Sequence, residues 1–206
     1  MSNIVTRYLK GMINTLITSQ TRVKLLMKFF LNSRTSAHLR GLESEFGEST
    51  NSIRVELNRF EEAGLLKSLR NGNKKVYQAN QGHPLYSDIH SIIMKETGID
   101  RVIEKVVHRI GSLREVYLTG DFARGKDSQV IELIMVGSEI DREYLAKKVH
   151  QAEELVGRKV SYVILSLEEA GEHLRKMKQS DLFPMWVSDG DRNTEKNSIL
   201  QTAPAE

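Results

Sequence analysis

The chain has 206 residues, 39% hydrophobic and 28% charged, the composition of a soluble protein able to bury one large or two small cores. It contains no cysteine, which excludes disulfides, thiolate-ligated zinc, iron–sulfur clusters and a cysteine nucleophile. The net charge of +3 conceals a division: residues 1–98 carry 14 Lys and Arg against 8 Asp and Glu, and residues 99–206 carry 16 against 19. A basic half joined to a mildly acidic half predicts two domains with different partners, because clustered cations attract phosphates whatever the sequence. Apolar runs such as LLMKFFL and VIELIMV fall well short of the roughly 20 residues of a membrane span. The segment MSNIVTRYLKGMINTLITSQ has neither the apolar core nor the cleavage pattern of a secretory signal. The expectation is a cytoplasmic protein with no membrane association.

In the first half, Ile4, Leu9, Ile13, Leu16 and Ile17 recur at loosely helical spacing. Thr21 is placed to cap a helix through Leu31, with Val23, Leu26 and Phe30 on one face. Ser36 is placed to cap a second, with Leu39, Leu42 and Phe46 inward and Gly47 ending it. Ser49 caps a third, with Ile53, Leu57 and Phe60 inward and Gly64 after it. LLKSLR and KKVYQ flank Asn71-Gly72, a strong hairpin signal, and the arms carry Lys67, Arg70, Lys74 and Lys75. His83-Pro84 then starts a helix on Leu85, Ile89, Ile92 and Ile93 that runs to Thr97. Ile99 opens another on Ile103, Val106 and Ile110, so the domain boundary is placed near Gly98.

The second half alternates strands and helices. EVYLT reads as a strand, GDFARGKDSQ as a loop, and VIELIMV as a strand apolar enough for a central position. Asp141–Val156 reads as a helix with Tyr144, Leu145, the Lys148 stem, Val149 and Ala152 inward. KVSYVIL is a third strand and Leu167–Lys178 a last helix, with Phe183 and Trp186 expected to cover the core. From residue 188 the chain is polar and rich in small residues, the pattern of a disordered tail.

Helix, break, helix, glycine turn, helix and charged hairpin is the order of a winged helix-turn-helix. The stretch TSAHLRGLESEFGESTNSIRVELNRFEEAGLLKSLRNGNKKVYQAN resembles the core of the arsenic-repressor-type winged-helix regulators, above all in Leu57, Phe60, Gly64, Leu65, Leu66 and the basic wing. A recognition helix buries one face and offers the other to the major groove. With Ile53, Leu57 and Phe60 inward, the outward set is Asn51, Ser52, Arg54, Val55, Asn58 and Arg59. Asn and Arg suit adenine and guanine edges, and Val55 suits a thymine methyl. Ser49 and Thr50 lie at the helix N-terminus, where backbone N–H groups favour a phosphate. Arg70, Lys74 and Lys75 would straddle the sugar–phosphate backbone, while Glu56, Glu61 and Glu62 must lie away from it.

TGDFARGKDSQVIELIMV resembles the signature of the minimal nucleotidyltransferases: a Gly-Ser turn, an Ala-Arg-Gly stretch, then a strand with two aspartates one residue apart. Gly120, Ala123, Arg124 and Gly125 match, and Asp121 stands at the serine position. One register places the aspartates at Val130 and Glu132; a register two residues later places them at Glu132 and Ile134. Either way one carboxylate is replaced by an aliphatic side chain. Nucleotidyl transfer by this resemblance needs two metal ions bridged by paired carboxylates, and the next strand supplies Ser161 and Tyr162 but no acid. Gly120-x-x-x-x-Gly125-Lys126-Asp127 also approaches a P-loop, but Asp127 replaces the magnesium-binding hydroxyl and a strand follows where a helix is required.

The expected fold is therefore α+β: a winged-helix DNA-binding domain with an N-terminal helix over residues 1–98, a nucleotidyltransferase-like α/β domain over 99–187, and the tail over 188–206. The expected function is a DNA-binding transcriptional regulator whose second domain has lost catalysis and serves in dimerisation or ligand sensing. The alternative is an active nucleotidyltransferase with a winged-helix targeting module, and a third class is a pure interaction protein, such as a toxin-neutralising partner. Expected partners are double-stranded DNA, a second copy of the chain, and a small anionic or nucleotide effector at a vestigial site of Gly120, Asp121, Arg124 and Glu132. No resident cofactor or metal is expected; the six histidines show no ligand spacing.

Overall fold

The computed structural model describes residues 12–107 and 110–188. It comprises two compact units: Met1–Gly98 together with Arg124–Asp127, and Ile99–Ala123 together with Ser128–Glu206. No helix among the described residues is long and apolar enough to cross a membrane.

The first unit runs α1 (Met12–Leu16), α2 (Gln20–Phe30), β1 (Ser36–His38), α3 (Leu39–Phe46), α4 (Thr50–Glu62), β2 (Leu66–Asn71), β3 (Lys74–Ala79) and α5 (Tyr86–Thr97). Its three strands form an antiparallel sheet in the order β1-β3-β2. Leu25, Phe29, Phe30, Leu42, Ile53 and Leu57 are fully buried, each helix contributing the stripe its periodicity defines. Two expected caps are displaced. Ser19, not Thr21, caps α2, its Oγ accepting from Arg22 N at 3.2 Å. Thr21 lies inside the helix, buried, with its hydroxyl donating to Glu48. Ser36 caps nothing: it begins β1 opposite Gln78, and His38 Nδ1 accepts from Gly41 N at 2.9 Å to cap α3. The hairpin loop is Gly72-Asn73, one residue later than expected, because Asn71 still pairs with Lys74; Gly72 takes φ +57°, which glycine adopts without steric cost. α5 starts at Tyr86, leaving Leu85 exposed outside it.

The second unit runs α6 (Ile99–Val107), β4 (Ser112–Thr119), the short α7 (Gly120–Ala123), β5 (Val130–Ser138), α8 (Arg142–Val156), β6 (Lys159–Leu165), α9 (Leu167–Lys176), a 3-10 turn (Gln179–Asp181) and β7 (Phe183–Val187). The sheet order is β6-β5-β4-β7, with β5 and β6 parallel across the α8 crossover and the other pairs antiparallel. The apolar VIELIMV segment takes the central position expected of it. On one face Tyr117, Ile134 and Val136 pack with Ala170, Leu174 and Leu182. α8 turns Leu145, Val149, Ala152 and Val156 inward; Tyr144 and Lys148, expected with them, stay half-buried, with the Lys148 ammonium 5.1 Å from the Tyr144 ring centre. Ile110 is buried but lies beyond α6. Phe183 and Trp186, expected to cover the core, are half-buried on the edge strand β7, and Leu182 just before them is the residue packed in the core; Pro184 opposite Tyr117 withholds a donor a central strand would need. Ser188 N donates to Arg114 O at 2.8 Å, so the backbone pairing includes the first residue of the expected tail; residues 189–206 lie outside the described residues.

Candidate nucleic-acid interface

Ser49 caps α4, accepting from Ser52 N at 3.1 Å. The Thr50 hydroxyl donates to Glu43 Oε1 at 2.7 Å, which ties the start of α4 to α3. Ile53, Leu57 and Phe60 face the core as their spacing requires, and Asn51, Ser52, Arg54, Val55, Asn58 and Arg59 are all exposed on the opposite side. The structure thus gathers the outward set of α4 on one surface.

The acids of α4 are handled differently from its cations. Glu56 is only 6% exposed, being three residues after Ile53 and four before Phe60, on the buried stripe. Its carboxylate accepts from Arg22 Nε at 2.9 Å, Arg22 Nη2 at 3.1 Å, Ser19 Oγ at 3.1 Å and Arg59 Nη1 at 3.1 Å. Burial pushes the Glu56 carboxyl up, but the hydrogen bonds from Arg22 and Ser19 and the two guanidinium charges outweigh it and hold the group below its ordinary value. Glu61 accepts from Lys75 Nζ at 2.6 Å and from Ser68 Oγ at 2.5 Å. These hydrogen bonds hold its carboxyl below the ordinary value and raise that of Lys75. Glu61 therefore clamps the β2–β3 hairpin to the end of α4. Glu62 is exposed just past it.

Of the expected wing cations, Lys75 is committed to Glu61 and lies 5.1 Å from the Tyr77 ring centre, whereas Arg70 and Lys74, like Arg54 on the helix, form no ion pair among the described residues. Arg70 sits directly across from Lys75 in the register, two like charges that Glu61 helps to reconcile. Arg22 and Ser19 were not singled out by sequence. The signal was Glu56 itself: an acid on an apolar stripe must find a cation, but nothing local says that the cation comes from α2.

In the second unit, Thr119 pairs with Glu132 across β4 and β5, and the chain then turns at Gly120 with φ +65°. A Cβ on Gly120 would run into the Glu132 carboxylate, so the two residues are in direct contact. Val130 and Glu132 point to the same face and are exposed, while Ile134 on that face is buried in the core. The side chains of the open stretch are therefore Val130 and Glu132, with Lys159 and Ser161 beside them in the register of β6. Asp121 is half-buried in α7. Arg124 is exposed and belongs to the segment grouped with the first unit, where its carbonyl accepts from Lys28 Nζ at 2.8 Å. Arg158 holds the loop from the far side, its guanidinium 5.2 Å from the Phe122 ring centre and donating to Ser128 O. A strand, β5, follows the loop, not the helix a P-loop requires. Among the described residues no three His, Asp or Glu side chains gather as a metal site.

No protein-family model matches the chain, and no curated protein matches it. Three solved structures are similar in part. Two are crystal structures of toxin–antitoxin MntA-HpeT mutants, both at a TM-score of 0.35, with 15% and 16% identity over 47% and 46% of this chain and 77% of those chains. The third is a crystal structure of the toxin–antitoxin with AMP-PNP, at a TM-score of 0.33 and 15% identity over 47% of this chain and 77% of that one. The functional reading rests on this chain's own residues.

Proposed function

We propose that the chain is a DNA-binding transcriptional regulator: residues 1–98 act as a winged helix, with α4 as recognition helix and the β2–β3 hairpin as wing, and residues 99–187 form a nucleotidyltransferase-like domain that does not catalyse. The observation that carries this reading is the sorting of charge on α4. Arg54, Asn51 and Asn58 face solvent, while Glu56 and Glu61 are turned to cations of the same unit. Exposed Arg and Asn at successive turns match base-edge donors and acceptors, whereas at the helix start Thr50 is engaged with Glu43 and Ser49 with Ser52 N. Homodimerisation doubles these contacts on a palindromic site. Its interface must be drawn from residues other than Ile13 and Ile93, which are buried. Ile4 and Leu9 lie outside the described residues; Leu16, 73% exposed, and half-buried Ile17 and Ile89 remain available. The test is selection of bound duplexes from a random-sequence pool by the full chain, followed by titration of the winning duplex against salt. Absence of salt-sensitive binding to any duplex would sink the reading.

A second reading is favoured by one observation, the contact of Gly120 with Glu132. A glycine turn against a strand carboxylate is the arrangement the nucleotidyltransferase signature implies. It is opposed by Val130, an aliphatic side chain at the companion carboxylate position. Labelled nucleoside triphosphates with magnesium or manganese decide it: label transfer to protein, DNA or a small acceptor, lost on Glu132→Ala, establishes catalysis in place of the vestigial site.

A further inference from the structure

Arg59 belongs to the exposed face of α4, yet it is engaged with Glu56. The engagement is lopsided. Arg22 offers two donors to the two carboxylate oxygens of Glu56, at 2.9 and 3.1 Å, the bidentate fork that makes arginine–carboxylate pairs strong. Arg59 contributes a single bond at 3.1 Å from a side chain 57% exposed, against 7% for the Glu56 side chain. Ser19 supplies a further bond. When Arg59 leaves, Glu56 keeps three hydrogen bonds and a full countercharge. Without Arg22, the departure of Arg59 would strand a buried carboxylate with one serine hydroxyl, which is strongly unfavourable.

Resting on the DNA-binding reading above, we propose that Arg22 is a positioning residue that sets the availability of Arg59. By neutralising Glu56 from α2, it lets the Arg59 guanidinium exchange from carboxylate to DNA. Two arginines sharing one carboxylate leave one positive charge over for the duplex. The triad parks that charge on the recognition face at rest and releases it when a phosphate or a guanine edge competes. Arg22 itself sits on α2 and makes no DNA contact in this scheme.

The experiment uses the full chain and a duplex selected from a random pool, with affinity measured by fluorescence anisotropy over a range of salt. Arg59→Ala is expected to weaken binding roughly tenfold and to lower the salt slope by about 1. Arg22→Ala is expected to reproduce both changes, because Arg59 is then the sole countercharge of Glu56. Adding Glu56→Gln to Arg22→Ala is expected to restore the wild-type slope, since a neutral amide no longer holds Arg59. A merely structural role for Arg22 would also be relieved by Glu56→Gln, but it predicts that folded Arg22→Ala keeps the wild-type salt slope and that Glu56→Gln alone leaves affinity unchanged. Glu56→Gln alone is expected to bind several-fold more tightly and guards against an Arg22→Ala chain that fails to fold; circular dichroism establishes which variants are folded. The inference is overturned if folded Arg22→Ala keeps the wild-type slope, if the double variant stays weak, or if Glu56→Gln binds no better than wild type. In those cases wild-type binding still stands, so the DNA-binding reading survives. A wild-type chain that binds no duplex removes both.

Discussion

The two units expose charge in opposite ways. On α4 of the first, two acids are taken up, Glu56 and Glu61 by Arg22, Arg59, Lys75 and serine hydroxyls, while Arg54 and, at the helix end, Glu62 are left outward. On the open stretch of sheet in the second, charge is sparse. Glu132 stands with Val130, Ser161 and Lys159, one carboxylate where metal-dependent transfer asks for two. On α4 ion pairing, more than burial, sets the charge that the surface displays.

The largest effects expected are those that remove the scaffold under either face. Leu57→Ala deletes a fully buried side chain from the inward stripe of α4 and should cost about 2–5 kcal/mol. Phe122→Ala removes a fully buried ring against which Arg158 rests, and should cost about 3–5 kcal/mol. Denaturant unfolding of each variant measures both. If Leu57→Ala were nearly neutral, the face opposite it would not be held as described. Next comes Gly120→Ala, where φ +65° strains any L side chain and the new methyl displaces the Glu132 carboxylate. A loss of roughly 1–2 kcal/mol is expected, reduced in a Glu132→Ala background where the clash is absent but the backbone strain stays.

Much of this was legible in the sequence, for identifiable reasons. The stripe Ile53, Leu57 and Phe60, the glycines ending α3 and α4, and the apolar run of β5 are local patterns, and local patterns decide helices, turns and central strands. Ser36 departs from the local pattern: a serine before an apolar helix reads as a cap, whereas pairing with Gln78 in β3, far along the chain, draws it into a strand. β7 was missed because FPMWV contains a proline and has no alternation, and only its edge position makes it a strand. At the candidate interface the outward set of α4 followed from helical geometry alone. The partners Arg22 for Glu56 and Lys75 for Glu61 did not, because ion pairing between separate elements leaves no periodic trace. The second register for the lost carboxylates, Glu132 with Ile134, was open in sequence; burial of Ile134 leaves Val130 and Glu132 as the exposed pair.

Of intermediate size are two substitutions on the proposed DNA face that separate reading from holding. Arg54→Ala should cost about 1–3 kcal/mol on the preferred duplex and relax preference at one base pair. Lys74→Ala, at the wing, should weaken all duplexes alike and lower the salt slope by about 1. Affinities for a matched and a single-mismatch duplex distinguish them. Equal losses on both duplexes for Arg54→Ala would move that residue from base readout to backbone contact.

The smallest expected effect sharpens the contrast between acids buried in ion pairs and acids that cap helices. Glu56 is held below its ordinary pKa because the hydrogen bonds and charges from α2 and α4 exceed the penalty of burial. Glu169 is held below its own by hydrogen bonds with Ser166 in a local, exposed capping box. The sign is the same for both. A carboxyl whose folded value is depressed stabilises the fold fully above its unfolded value, about 4.3, and that stabilisation is lost as pH falls through the folded value. Stability should therefore be flat above that range and decline below it. Glu56→Gln should flatten the acid limb more than Glu169→Gln, because screening by water weakens the exposed box and not the buried pair. Urea midpoints taken at a series of pH values from neutral downward measure the two slopes. Equal flattening by the two variants would mean that the Arg22–Glu56–Arg59 cluster is as solvated as a helix cap, and that the acid on the inner side of α4 is not sequestered.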